Sequence, residues 1–238
     1  MIGIVPARGG SKGVPRKVLR EVAGVSLLEW TLRAAHAAGV DTWVTTEDLE
    51  IRAESVRLRS NVVDRPERLA ADRVPDLPVV RHALERVWPA PEADDIVLIL
   101  RPTSPFRTAV DVLSVTAILA EHRLLDSVRS VRPLRDHPWK VYYRAGIVGG
   151  YAMLEPADPV RHMANGPRQW LRQAVVASGF LDAVRAGVVL DLGSMDGLTI
   201  AAWPTPEERG IDIDTEEDLA RADALARRRG WTPESVGP

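Results

Sequence analysis

Cysteine is missing from all 238 residues. That absence excludes a disulfide framework, a thiol nucleophile, and zinc or iron–sulfur centres held by thiolates. Long apolar runs are missing too. None approaches the roughly 20 residues that span a bilayer. Residues 1–8 hold too short an apolar run, closed by Arg8, for a secretory leader. The cytoplasm is therefore the expected compartment. An excess of either charge is also lacking: 31 Lys plus Arg stand against 33 Asp plus Glu, a formal net charge of -2. No global basic field would hold nucleic acid or an anionic membrane, so any anion recognition has to be local. The five histidines show neither H-x-x-H nor H-E-x-x-H spacing, which argues against zinc. Repeats and low-complexity blocks are absent. What is there is an ordinary globular composition, 45% hydrophobic and 27% charged, long enough to build a core without covalent staples.

The first two-thirds alternates strand and helix signals. Uniformly apolar residues 2–5 predict a buried parallel strand. A glycine-rich loop follows over 8–17. Helical spacing of apolar residues over 26–38, including Trp30, stops at Gly39. Strands are expected at 42–46, 61–63, 96–100 and 127–131, and helices at 49–58, 77–87 (started by Asp76) and 110–121. From Pro133 the rhythm breaks. Aromatic and basic residues among turn formers predict an excursion over about 133–175, with a hairpin around 141–153. Strand character resumes at 180–184 and 198–203, and an amphipathic helix over 216–228 closes the domain. Residues 229–238 are expected to be a fraying polar tail. The alternation implies a single α/β domain over 1–228, with a doubly wound, mostly parallel sheet of Rossmann-like type wrapped on both faces. Ligands in such sheets bind at the carboxyl ends of strands, near a switch point.

Two segments carry chemistry. In the first, Pro6-Ala7-Arg8-Gly9-Gly10-Ser11-Lys12-Gly13-Val14-Pro15-Arg16-Lys17, Gly9, Gly10 and Gly13 let backbone N–H groups approach an anion. Arg8, Lys12, Arg16 and Lys17 add positive charge, and Ser11 adds a hydroxyl donor. The set suits a triphosphate, yet it matches neither the Walker A nor the dinucleotide glycine pattern. Its bland reading is a basic surface turn. The second segment is Gly210-Ile211-Asp212-Ile213-Asp214-Thr215-Glu216. In extended backbone Asp212 and Asp214 point to one side, as two carboxylate ligands of Mg²⁺ would. Alternatively Asp214 or Thr215 caps the last helix. Both readings can hold together.

The first segment resembles the P-A-R-G-G-S-K-G-x-P-x-K signature of the acylneuraminate (CMP-sialic acid) cytidylyltransferase family. Four further segments follow in the family's order. Arg65-Pro66-Glu67-Arg68-Leu69-Ala70-Ala71-Asp72 is similar to R-P-x-x-L-A-x-D, and Pro102-Thr103-Ser104-Pro105-Phe106-Arg107 to P-T-S-P-x-R. His137-Pro138-Trp139-Lys140 is similar to H-P-x-K, and Ile211-Asp212-Ile213-Asp214-Thr215-Glu216 to I-D-I-D-T-E. The resemblance implies CMP transfer from CTP to a small acidic acceptor, with release of pyrophosphate. It implies that Arg8, Lys12 and Lys17 act on the triphosphate, with Ala7, Gly9, Gly10, Ser11, Gly13 and Arg65 around the nucleotide. Asp212 and Asp214 would hold Mg²⁺, and Lys140 and Arg168 would face the acceptor. A homodimer, paired through the excursion, is implied as well.

Several departures fall on expected ligand positions. Val18 stands where the family has Asn. Arg101 replaces the Gln before P-T-S-P, which in the family touches the sugar acid, and its planar fork suits a carboxylate or phosphonate. Residues 73–78, Arg-Val-Pro-Asp-Leu-Pro, replace small and hydroxyl residues that help read cytosine. Thr45-Thr46-Glu47 replaces S-T-D, and Ser178-Gly179 an Asn-Gly. The triphosphate and metal residues are kept while the acceptor side changes. A nonulosonic, sialic-type sugar acid is the leading acceptor, with a small phosphonate close behind. A non-catalytic nucleotide binder and an enzyme using another base are the remaining readings.

Overall fold

The structure is a computed structural model that describes residues 1–11, 13–88, 91–148, 151–157 and 166–236. Its elements run β1 (Ile2–Pro6), β2 (Glu21–Val22), β3 (Val25–Ser26), α1 (Leu27–Ala37), β4 (Asp41–Thr46), α2 (Leu49–Arg57), β5 (Asn61–Asp64), α3 (Asp76–Val87), β6 (Ile96–Ile99) and α4 (Ala109–Glu121). They continue with β7 (Ser127–Pro133), β8 (Tyr142–Val148), β9 (Tyr151–Pro156), β10 (Val175–Arg185), α5 (Ala186–Leu190), β11 (Ile200–Pro204) and α6 (Glu216–Arg229). Two compact units result, one of Met1–Ser130 with Ser178–Pro238 and one of Val131–Ala177.

Seven strands of the first unit's sheet lie in the order β11-β7-β10-β6-β1-β4-β5. β1 pairs in parallel with both β4 and β6, and β4 with β5. β10 lies antiparallel to β6, with Asp182 opposite Ile99. The chain order reverses across β1: β4 and β5 build outward on one side, while β6 joins the other. That places the switch point between β1 and β6, so the loops leaving these strands frame the crevice where a ligand binds.

The strands alternate their apolar side chains between two helix layers, as a sheet covered on both faces must. Val5, Val44, Leu98, Leu100, Leu181 and Ala183 meet α1 and α4 through Leu28, Leu32, Val112, Val115 and Leu119. Ile2, Ile4, Val97, Ile99 and Val184 meet α3 and α5 through Val80, Ala83, Leu84, Val188 and Val189. The helix ends follow their cap residues. Ser26 accepts the Glu29 N–H at the start of α1. Thr215 and Asp218 form a reciprocal capping box on α6, and Gly230 ends that helix in the left-handed region at φ 63°. Caps of this kind contribute about 1 kcal/mol each.

Three features differ from the sequence expectations. The β2–β3 hairpin was not anticipated, since two-residue strands are too short to show a period. Its turn takes positive φ at Ala23 (53°) and Gly24 (80°), as a tight hairpin requires. The strand expected at 180–184 is the distal half of the longer, antiparallel β10. The tail expected to fray packs instead: Trp231 is only 7% exposed, and its N–H donates to Ala226. Burying one indole outweighs the polarity of its neighbours. No helix among the described residues is long and apolar enough to cross a membrane.

Candidate active site

A third apolar cluster assembles the site. It holds Val14 from the glycine-rich loop, Phe106 from the loop after β6, and Ile211 and Ile213 from the acidic segment. Around them pack Val22, Leu27, Trp30, Leu219, Ala222, Ala226 and Trp231. Phe106 sits between two indoles, edge-on to Trp30 at 5.4 Å and to Trp231 at 5.0 Å. Three polar motifs far apart in sequence are thus drawn together by their apolar residues, whose burial drives the assembly. Residues 211–214 are not in a sheet, yet Ile211 and Ile213 are buried while Asp212 and Asp214 are exposed. The alternation of extended backbone turns both carboxylates outward.

The loop and the acidic segment touch directly. A Cβ at Gly13 would lie 2.2 Å from the Asp214 carbonyl oxygen, so only glycine admits this approach. Lys17 Nζ donates to the Ile213 carbonyl at 2.7 Å and to Asp214 Oδ1 at 2.8 Å. From the β6 side, the Ile213 N–H donates to the Thr103 carbonyl at 2.9 Å, and the Thr103 hydroxyl bonds Asp212. Although the residue is exposed as a whole, desolvation by the surrounding protein holds the Asp212 carboxyl above its ordinary value; the Thr103 bond opposes this and repulsion from Asp214 adds to it. Thr215, not Asp214, is the N-cap of α6, which settles the capping alternative and leaves Asp214 to Lys17. Arg209 anchors the approach to this segment. It is buried, pairs with Asp111, and donates to the Phe106 carbonyl at 3.1 Å.

A cleft of about 250 Å³ opens beside the acid pair, lined among others by Pro6, Arg8, Ser11, Lys17, Val18, Arg65, Asp72, Asp76, Arg101 and Thr103. It lies just below the roughly 300–1,000 Å³ usual for small-molecule sites. Arg8 reaches Asp72 at 2.9 Å. Ala7 is buried, its N–H on the Thr45 carbonyl. The Gly9 N–H donates to Glu47 Oε1 at 2.7 Å, so this amide is committed to a carboxylate. Gly9 also packs on Asp48, whose Oδ2 would lie 2.4 Å from an added Cβ. Gly10 has open space around it, and the Ser11 N–H turns back to the Gly9 carbonyl. Arg65 is 6% exposed and donates to the Thr45 carbonyl at 2.5 Å; burial lowers its pKa. Val18 is buried in the main core as well as lining the cleft. Lys12 lies outside the described residues.

Arg101 forms one wall and is engaged by two carboxylates. Its Nε and one terminal nitrogen donate to Asp76 Oδ2 at 3.1 and 2.6 Å, and the other terminal nitrogen donates to Asp182 Oδ2 at 2.7 Å. Burial opposes the charge, but Asp182 and Asp76 outweigh it and raise the pKa. Arg129 shares Asp182 at 3.2 Å. Behind this wall Arg107 is fully buried and donates to the carbonyls of Phe180 and Arg101 at 2.5 and 2.7 Å. Burial, with repulsion from Arg101, pushes its pKa down to about 10.

The other two predicted acceptor residues belong to the second unit. Lys140 ends a 3-10 turn, Pro138–Lys140, and its Nζ donates to the Gly166 carbonyl at 2.9 Å. Arg168 begins a second such turn, Arg168–Trp170, and its side chain lies outside the description. Sequence reasoning named Asp72 and Thr103 only as motif letters, took Asp76 as the start of a helix, which it is as the first residue of α3, and gave no role to Asp182, Arg129 or Arg209. Asp72 and Thr103 were findable, because each closes or sits inside a quoted motif. Asp182 and Arg129 carry no local signal, since strand pairing alone brings them together.

A Rossmann-like sheet with a glycine-rich loop at its switch point and two carboxylates beside that loop defines a doubly wound α/β protein. Residues 2–136 match the family model for cytidylyltransferases. This chain belongs to the cytidylyltransferase family. It is 25% identical over 231 residues to N-acylneuraminate cytidylyltransferase A of Danio rerio, covering 96% of this chain and 51% of that protein. With the N-acylneuraminate cytidylyltransferase of Escherichia coli O18:K1:H7 it shares 29% over 149 residues, covering 58% of this chain and 35% of the relative. The chain thus spans about half or less of the length of these curated relatives. Among solved structures it is similar to a CMP:2-keto-3-deoxy-manno-octonic acid synthetase complexed with CTP, with a TM-score of 0.68 and 18% identity over 96% of this chain and 98% of that one. It also resembles the 4-diphosphocytidyl-2C-methyl-D-erythritol synthase of Anaerococcus prevotii, with a TM-score of 0.59 and 15% identity over 95% and 97%. At these identities the structural likenesses show the fold alone.

Proposed function

We propose that this chain transfers CMP from CTP to a small acidic acceptor and releases pyrophosphate. The observation that carries the reading is the meeting of the glycine-rich loop with the acid pair, through Gly13 against Asp214 and Lys17 on Asp214. Phosphoryl transfer asks a protein mainly for positioning and for charge on the phosphoryl oxygens. Arg8, Ser11, Lys12 and Lys17 are the groups to grip a triphosphate, and Arg65 lies beside it along the cleft. An acceptor oxygen attacks the α-phosphorus in line; a phosphonate oxygen is already anionic, and a sugar hydroxyl gives its proton to solvent. The bond to the β-phosphate oxygen breaks, and pyrophosphate leaves with that electron pair.

The acid pair fits Mg²⁺. No cluster of three or more acidic or histidine ligands occurs among the described residues, and Mg²⁺ characteristically takes one or two carboxylates and completes its shell with phosphate oxygens and water. Asp212 and Asp214 would hold the ion, which when bound neutralises phosphate charge and polarises oxygen. Lys17, already on Asp214, is placed to serve carboxylate and phosphate alike.

The relatives' names favour a nonulosonic, sialic-type sugar acid as acceptor. Arg101 on the cleft wall favours the second reading, a small phosphonate. Lys140 and Arg168, both in the Val131–Ala177 unit, are acceptor residues that the family resemblance implies, and a homodimer paired through that unit is implied with them. Pyrophosphate release tests the proposal, with Mg²⁺ and CTP, UTP or ATP against N-acetylneuraminate, 2-keto-3-deoxyoctonate and 2-hydroxyethylphosphonate. CTP-dependent release with any of these acceptors supports it. Release with UTP or ATP instead overturns the base assignment, and CTP binding without release across the panel favours a non-catalytic binder.

A further inference from the structure

Two departures noted in the sequence, Arg101 and the 73–78 segment, are one structural feature. Asp76, from that segment, is the carboxylate that meets Arg101. The two partners of Arg101 differ in kind. Asp182 is 6% exposed and also receives Arg129 and the Ser130 N–H, so it is a fixed counter-charge. Asp76 is 45% exposed, stands at the first position of α3 and lines the cleft. Its hold on Arg101 is also geometrically incomplete. Nε and the terminal nitrogen both donate to one oxygen, Oδ2, whereas this edge of a guanidinium is a fork suited to two oxygens, one per donor. Asp76 is the solvent-facing partner of the two, the one an incoming oxyanion can reach and replace.

We propose that Asp76 is a specificity-determining residue that occupies the oxyanion-binding edge of Arg101, and that the acceptor's anionic group binds by displacing it. The proposal rests on the cytidylyltransferase reading and deepens it. Asp182, shared with Arg129, offsets only part of the Arg101 charge, and does so permanently. Asp76 offsets the rest reversibly, until an oxyanion presents two oxygens to the same edge. The competition sets a threshold. An anion that cannot form the fork, or that carries too little charge, does not dislodge a carboxylate tethered within the same cleft. Carboxylate and phosphonate share this recognition chemistry.

The test is calorimetric titration of the CTP-free protein with two probes, pyruvate for a carboxylate and methylphosphonate for a phosphonate. Wild type, Asp76→Asn, and Asp76→Asn with Arg101→Gln are compared. Removing the competitor is expected to tighten one or both probes about tenfold, and Arg101→Gln is expected to abolish that gain. The probe that gains more identifies the anion class. No gain in Asp76→Asn overturns the proposal, and so does a gain that survives Arg101→Gln, because the anion then sits elsewhere. Asp76→Ser, checked for a native near-ultraviolet spectrum, serves if the Asn variant does not fold. CTP binding and pyrophosphate release by the wild type are read separately, so failure of the transferase reading is distinguishable from failure of this one.

Discussion

The glycine-rich loop and the β8–β9 hairpin both leave the central sheet, but they rest on different supports. Beneath the loop lie Val14, Phe106, Ile211 and Ile213, all but fully buried with the indoles of Trp30 and Trp231. In the Val131–Ala177 unit none of the described residues is buried. Tyr142, Tyr143, Ile147, Met153 and Leu154 are all exposed on a two-stranded hairpin, an arrangement marginal on its own. The first region is organised by its own core, so the groups proposed to act on the triphosphate are preset. The second has apolar surface without a core, which is the profile of an element completed by another chain. Precision belongs to the part that packs against itself.

The comparison breaks most visibly at the acid pair. Asp212→Ala is expected to lower turnover roughly 10²–10³-fold with an unchanged far-ultraviolet spectrum; wild-type turnover would remove Asp212 from the machinery. Gly13→Val comes next. Its side chain meets the Asp214 carbonyl and separates loop from acid pair, for a loss of about 100-fold, measured as kcat/KM for CTP. Trp231→Ala tests the support itself, with an expected destabilisation of about 3–5 kcal/mol in urea unfolding. A value near zero would mean the C-terminal residues do not brace the site. Ile147→Ser with Met153→Ser sharpens the other side. Sedimentation should show loss of a dimer, while the unfolding free energy of the remainder moves by no more than about 0.5 kcal/mol.

The smallest effect concerns pH. Asp212 has a carboxyl raised in the folded protein, so the native state holds its proton more tightly than the unfolded chain does. Its contribution to stability is therefore fully present below the unfolded value of about 3.9. It is lost as pH rises through the raised native value. In chelator-containing buffer, Asp212→Asn should be more stable than wild type at neutral pH, and the gap should close in acid. Urea midpoints at several pH values decide it, and a gap that widens in acid would reverse the sign.

Much of this was legible beforehand. The strand–helix alternation, the glycine-rich loop after β1 and the outward pair of carboxylates follow from periodicity, from chain flexibility at glycine and from alternation of extended backbone. Trp30 reads as core and is core. The β2–β3 hairpin was not legible, because two residues show no period. The anchoring of Trp231 was hidden by its polar neighbours. In the sequence Arg101 shows only a planar fork suited to the acceptor's carboxylate or phosphonate; its engagement by Asp76 and Asp182 is invisible there, since those residues lie 25 and 81 positions away.

The sequence by itself determined the local chemistry: which residues can grip phosphate, which can hold a divalent cation, and which apolar residues must be hidden. Each is a property of a side chain and its near neighbours in the chain. Only the tertiary structure decided which of those groups meet. It joined loop to acid pair through Gly13 and Lys17, and it closed Arg101 between two carboxylates. Such pairings depend on strand order and on the packing of one buried cluster, and these arise from free energy summed over the whole fold.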